Sequence, residues 1–297
     1  MWAPPVPPSE DWRGFSEDPA GSPVPVSGRL TLAGERERLI VAVHGLGGCA
    51  DSRYLWEFTT AATAAGWSVL RLNLRGADRE GEDFYHGGQT EDLHGASASP
   101  VLAGFEHLAV VGFSLGGHAV LRYATEAGDE RLRAIATVCP PVDLAAGQRT
   151  IDGPSARIYR RYVLGHIKEI YREVALRREV PIPASEADAI ERLWDWDEKV
   201  VAPRYGFAGA EDYYARCSVG PHLGEVRVPA LVVASEDDPM VPAASLHQRL
   251  DPEPAGFEVH WVPRSGHLSF SRGVDLGHGP GVGLNGQLLG WLDTVVR

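Results

Sequence analysis

Basic charge is the first thing this sequence is short of. Its 297 residues carry 28 Lys and Arg against 40 Asp and Glu, a net charge of −12. Phosphate recognition needs clustered cations, so no nucleic-acid partner is expected. Cysteine is scarce too. Cys49, Cys139 and Cys217 cannot all pair, and none stands in a C-x-x-C or zinc spacing. A reducing, cytoplasmic setting is the simpler expectation. No run approaches the roughly 20 apolar residues needed to span a bilayer. The N-terminus lacks the basic start and apolar core of a signal peptide. Apolar residues, in contrast, make up 44% of the chain, enough for the core of one large α/β domain or two small ones.

The most informative stretch runs from His107 to Leu121. Leu108 to Val111 has the length and β-branched content of a buried strand. It leads straight into Gly112-Phe113-Ser114-Leu115-Gly116, a G-x-S-x-G pattern, and then into a helical stretch ending near Gly128. A serine on such a strand-to-helix turn sits in strained backbone, and a Cβ two residues to either side would collide with neighbouring chain. The helix N-terminus behind it favours developing negative charge. Ser114 is therefore the candidate nucleophile.

Around this stretch the chain alternates strand and helix. Residues 1–27 hold seven prolines and read as a Pro-rich arm outside regular ladders, with Trp2 and Trp12 available to tack it to the body. Residues 28–297 read as one domain. Arg29 to Ala33 alternates like a half-buried strand, with Gly34-Glu35 as a turn. Leu39 to Val43 is an apolar strand running into His44-Gly45-Leu46-Gly47-Gly48, whose glycines let a backbone N–H turn toward an oxyanion. Further strands are expected at 67–72, 134–138, 229–235 and 257–262, with helices following Leu55, across 90–102 and at the C-terminus. This order implies a mostly parallel, doubly wound sheet. His86, Glu91, Asp92 and His94 crowd together in sequence but offer no i, i+4 ligand pair, so no metal is expected among them.

Residues from about 144 to 222 break the rhythm. Tyr159, Val163, Ile167, Ile170 and Val174 fall on one helical stripe, while Arg160, Arg161, Lys168, Arg172, Arg177 and Arg178 project elsewhere. Aromatic residues follow densely between Trp194 and Tyr214. An aromatic-rich helical insertion between strands suits a cap with apolar walls over a site.

A serine hydroxyl needs a base, and the base needs a carboxylate to fix its tautomer. In a doubly wound sheet such groups gather at the C-terminal edge of the strands. His267 follows the last strand in a small-residue loop and is the expected base. For the acid, Asp238 in Asp237-Asp238-Pro239-Met240-Val241-Pro242 is preferred over its neighbour Asp237, with Asp143 the geometric rival. Backbone N–H groups of Leu46 and Leu115 would hold an oxyanion.

These pieces resemble the α/β-hydrolase superfamily, and more narrowly its YheT-like branch, the AB hydrolase 4 family. The similarity rests on His44 to Gly48, Asn73-Leu74-Arg75-Gly76, Tyr85 to Leu93 and Gly112 to Gly117. It continues through Ala202 to Phe207, Asp212-Tyr213-Tyr214, Asp237-Asp238-Pro239 and Gly266-His267-Leu268, and spans roughly residues 28–296. His118 stands where such chains usually have Asn, and Ser265 where they often have Gly. The resemblance implies an α/β-hydrolase fold and carboxylic-ester hydrolysis, with relatives acting on acylglycerols, phospholipids or short acyl esters. It also implies Ser114, Asp238 and His267 as the triad, and favours Asp238 over Asp143. The expected substrate is a small ester with an apolar acyl group, and no cofactor is required. A catalytically silent ligand-binding protein on the same scaffold, and a thioesterase or peptidase variant, stand as alternatives. Dehalogenase and epoxide hydrolase chemistry would need Asp in place of Ser114.

Overall fold

A computed structural model describes residues 6–34, 37–126 and 128–296. Its centre is an eight-stranded sheet in the order β1-β2-β4-β3-β5-β6-β7-β8. The strands are β1 (Glu10–Glu17), β2 (Pro23–Thr31), β3 (Arg38–Val43), β4 (Ser68–Asn73), β5 (His107–Phe113), β6 (Leu132–Val138), β7 (Ala230–Ser235) and β8 (Phe257–Val262). From β4 to β8 all neighbours pair in parallel, while β1 and β2 are antiparallel additions at one edge.

The parallel strands read as unbroken apolar runs because both faces are covered. On β3, Ile40 and Ala42 point to one layer and Leu39, Val41 and Val43 to the other. Helices α1 (Arg53–Ala64) and α11 (Gly283–Val295) cover the first layer with Leu55, Phe58, Leu288 and Leu292. Helices α2 (Glu91–Ser97), α3 (Leu115–Glu126) and α10 (Ala243–Leu250) cover the second. Between β6 and β7 the chain inserts α4 (Leu144–Asp152), α5 (Arg157–Ala175), α6 (Ala184–Asp188), α7 (Leu193–Trp196), α8 (Ala202–Tyr205) and α9 (Ala210–Cys217). A π-helical turn, Asp197–Val201, joins α7 to α8. Among the described residues no helix is long and apolar enough to cross a membrane.

Three expectations need correction. Residues 10–31 are not outside the ladders: they form β1 and β2, and Trp12 is buried with its indole N–H donating to Ser99 Oγ at 3.2 Å. The prolines are tolerated by position. Pro23 and Pro25 precede Ser27, where pairing with β4 begins, so on that flank no ladder bond is lost. Trp2, Pro4, Pro5 and the Glu35 half of the expected turn lie outside the described residues. The helix expected over 90–102 stops at Ser97, because Pro100 lacks the N–H and drives Ser99 to an extended ψ of 127°. On α5 the apolar stripe begins at Val163, and Tyr159 stays 39% exposed.

β3 starts in the middle of the sheet. The chain goes outward to β4 and then returns past β3 to β5. Loops leaving the C-terminal ends of β3 and β5 therefore diverge and open a crevice, the place where open α/β sheets hold ligands.

Candidate active site

Ser114 stands at the mouth of that crevice, between the last residue of β5 and the first of α3. Its φ is +54°, a left-handed conformation that costs a non-glycine residue energy and projects the side chain off the turn. The flanking glycines are required by packing. A Cβ on Gly112 would lie 2.4 Å from Gly116 O, and one on Gly116 would lie 2.4 Å from His44 O. The turn is pinned by Ser114 N–H donating to Val138 O at 2.8 Å.

His267 comes from the loop after β8 and meets this hydroxyl. Its Nε2 is 2.6 Å from Ser114 Oγ, and its Nδ1 is 2.7 Å from Asp238 Oδ2. The other carboxylate oxygen of Asp238 accepts from Met240 N–H at 2.8 Å and Val241 N–H at 2.9 Å, which fixes the carboxylate plane. Burial works to raise the Asp238 carboxyl, but the hydrogen bond and charge of His267 and these two amides outweigh it and hold it below its ordinary value. The rival acids are otherwise engaged. Asp237 accepts from Arg264 N–H at 2.9 Å, and Asp143 caps α4 by accepting from Ala146 N–H at 2.9 Å.

The loop after β3 packs directly on the serine: a Cβ on Gly45 would meet Ser114 Cβ at 3.0 Å. Gly45 N–H donates to Tyr54 Oη at 2.9 Å and Gly47 N–H to Tyr85 Oη at 2.7 Å. Among the described residues no hydrogen bond claims the Leu46 or Leu115 N–H. His44 braces the loop from below. Its Nε2 accepts from Leu74 N–H at 3.2 Å, so Nδ1 carries the proton given to Gly45 O at 2.8 Å, and burial pushes its pKa down to about 4.

A model of the alpha/beta hydrolase family matches residues 40–276. The chain belongs to the α/β-hydrolase family. It is YheT-like: it is 31% identical over 280 residues to a protein of Escherichia coli (strain K12) provisionally named esterase YheT, across 89% of this chain and 79% of that one. It is 25% identical over 283 residues to monoacylglycerol lipase ABHD2 of Homo sapiens, across 86% of this chain and 64% of the lipase. Among solved structures, the α/β hydrolase GrgF from Penicillium sp. sh18 superposes with a TM-score of 0.58 at 20% identity, covering 88% of this chain and 91% of that one. At that identity the likeness speaks for the fold.

In this α/β-hydrolase the helices inserted between β6 and β7 wall a pocket that opens on Ser114. Leu144, Ile151, Ile167, Ile170 and Trp196 line it, so its surface is largely apolar. One acidic side chain in that lining was not legible beforehand. Asp197, on the π-helical turn, accepts from Tyr214 Oη at 2.6 Å, and burial raises its carboxyl to about 7. Only the tertiary packing of the insertion sets this environment, although a π turn is a recurrent mark of functional positions. Cys139 was also missed. It lies within 4.8 Å of the Asp238 and His267 ligand atoms, and burial beside Asp238 pushes its thiol well up, keeping it neutral.

His86, Glu91, Asp92 and His94 do not converge. Asp92 pairs with Arg75 at 2.7 Å, His94 with Glu126 at 3.4 Å, His86 packs against Tyr205, and Glu91 accepts from Thr90 N–H at 3.1 Å. His118 sits inside α3 with Pro141 O at 2.9 Å from Nδ1 and Cys217 O at 2.9 Å from Nε2, tying the helix behind the serine to the end of α9.

Proposed function

We propose that this hydrolase cleaves carboxylic esters by acyl transfer through an acyl-enzyme. The observation that carries the reading is the continuous relay Ser114 Oγ–His267–Asp238, at 2.6 and 2.7 Å. With Nδ1–H held by Asp238, the Nε2 lone pair faces the hydroxyl and takes its proton as Oγ attacks the carbonyl. The oxyanion then forms against the N–H groups of Leu46, on the loop after β3, and of Leu115, at the start of α3, where the helix dipole adds to the effect. His267 returns the proton to the leaving alcohol. Water, activated by the same imidazole, repeats the sequence on the acyl-serine. No step calls for a cofactor. The insertion between β6 and β7 acts as a cap whose apolar wall suits an acyl chain, and the monoacylglycerol lipase among the relatives supports a lipid-like ester.

The test is turnover of a graded series of p-nitrophenyl acyl esters with fluorophosphonate labelling. Ser114→Ala should lower kcat by about 10⁶-fold and abolish labelling, and Asp238→Asn should lower kcat by about 10⁴-fold. Asp237→Asn should change it little. Full turnover by Ser114→Ala would sink the assignment. A protein that only binds ligand would leave the wild-type serine unlabelled.

A further inference from the structure

The outermost strand at the other edge of the sheet carries a second convergence of side chains. Glu258 and His260, two residues apart on β8, project to one face, and the glycine-rich loop before α11 brings His278 against them. Glu258 Oε1 is 2.7 Å from His260 Nε2 and 3.0 Å from His278 Nε2. The two Nε2 atoms are 3.2 Å apart.

Hydrogen bonding alone does not satisfy this triangle. If both Nε2 atoms carry protons, two donors face each other. If either lacks its proton, a lone pair faces the carboxylate oxygen. A cation at the centre removes the conflict, because all three atoms then point their lone pairs at it. The dimensions agree. A first-row divalent ion takes imidazole nitrogen at roughly 2.0–2.1 Å and carboxylate oxygen at roughly 2.0–2.2 Å, which spaces its ligand atoms about 3 Å apart.

The surroundings hold the ligands in place as an outer shell would. Trp291 Nε1–H donates to Glu258 Oε2 at 2.9 Å and orients the carboxylate. Gln287 Oε1 accepts from His278 N–H at 3.0 Å and from Leu276 N–H at 2.9 Å, while its amide donates to Gly281 O at 2.6 Å. The loop presenting His278 is thereby fixed to α11.

We propose that Glu258, His260 and His278 bind one divalent transition-metal ion of the zinc type, with water completing its coordination. Two imidazoles and one carboxylate favour such an ion over Mg²⁺ or Ca²⁺, which prefer all-oxygen sites. Its effect is mechanical. The ion ties β8 to the segment before α11, and His267 lies on the chain between those two anchors. It closes the base of the loop that carries the imidazole.

Tag-free protein, stripped with chelator, is titrated with ZnCl₂ by calorimetry and melted with and without Zn²⁺. The expected result is one saturable site per chain and a higher Tm with Zn²⁺. Glu258→Gln, His260→Ala and His278→Ala should each weaken binding more than tenfold and cancel the Tm rise. Trp291→Phe should weaken it about tenfold. MgCl₂ should give no saturable heat. Circular dichroism of the three ligand variants in chelator shows whether each still folds, and they change two separate segments, so one unstable variant does not decide the matter. Absence of a one-to-one site in wild type, or equal affinity in all three ligand variants, overturns the proposal.

Discussion

Asp197 is a residue whose environment departs far from what its sequence suggests. Its folded pKa, about 7, lies above the ordinary 3.8, so between these values the folded chain holds a proton that the unfolded chain has lost. Stability therefore falls as pH rises from about 4 to about 7 and levels off above. Asp197→Asn keeps an acceptor for Tyr214 and removes that slope. It should stabilise the protein at pH 8 by on the order of 4 kcal/mol and leave it nearly unchanged at pH 4, read as urea midpoints across pH. That Ser114 and His267 would come together was legible because each occupies a position with its own signal: a G-x-S-x-G turn for Ser114, a small-residue loop after the last strand for His267. Asp238 was preferred over adjacent Asp237 for its place at the turn just past the strand, although the two carry the same chemistry and differ only in direction. Nothing in Asp195-Trp196-Asp197-Glu198 separates a buried acid from a solvated one.

At the scale of elements, the close approach of α3 to the end of β3 sets how the serine is held. Gly116→Ala would place a methyl group 2.4 Å from His44 O and 2.5 Å from Val43 O, both backbone atoms that cannot swing aside. Expected losses are about 1–3 kcal/mol of stability and about 100-fold in kcat, as the helix moves and Ser114 with it. Gly165→Ala is the contrast. It lies exposed inside α5 with no atom within 4 Å of the added Cβ, and should raise stability by about 0.5–1 kcal/mol in thermal melts. Long apolar runs announced β3, β5, β6 and β7, because a strand covered on both faces leaves no ambiguity of side. β1 was hidden. Its alternation is broken by charge, its partner strand contains prolines, and its pairing is decided by an edge that only the assembled sheet offers. The Glu258, His260 and His278 cluster was equally silent, since its third member joins from a loop beyond the reach of any local pattern.

For the molecule as a whole, the insertion is fastened to the sheet by charge as well as by apolar contact. Asp83 is fully buried and faces three arginines: Arg204 of α8 at 2.7 Å, Arg178 beyond α5 at 3.3 Å, and buried Arg75 at 3.7 Å. Arg75 also reaches Asp92 and, through Ser16 Oγ at 2.7 Å, the end of β1. Asp83→Ala would leave those guanidinium groups confronting one another and should cost about 3–5 kcal/mol, checked by urea unfolding monitored through tryptophan fluorescence. The basic residues of α5 were expected to project from its apolar stripe. Several are turned to internal use, with Arg160 donating to Asp152 O at 2.8 Å and Lys168 to Asp188 O at 2.8 Å. Composition alone shows how many cations there are, and only the fold shows which carbonyls and carboxylates need them.

The hydroxyl and the imidazole that meet at 2.6 Å are separated by 153 positions along the polypeptide. A ribosome releases the serine well before the strand that delivers the histidine. On the proposed reading, the alcohol of Ser114 stays no more reactive than any other until β8 docks and brings the imidazole to it, so hydrolytic competence waits on the edge of the sheet being completed.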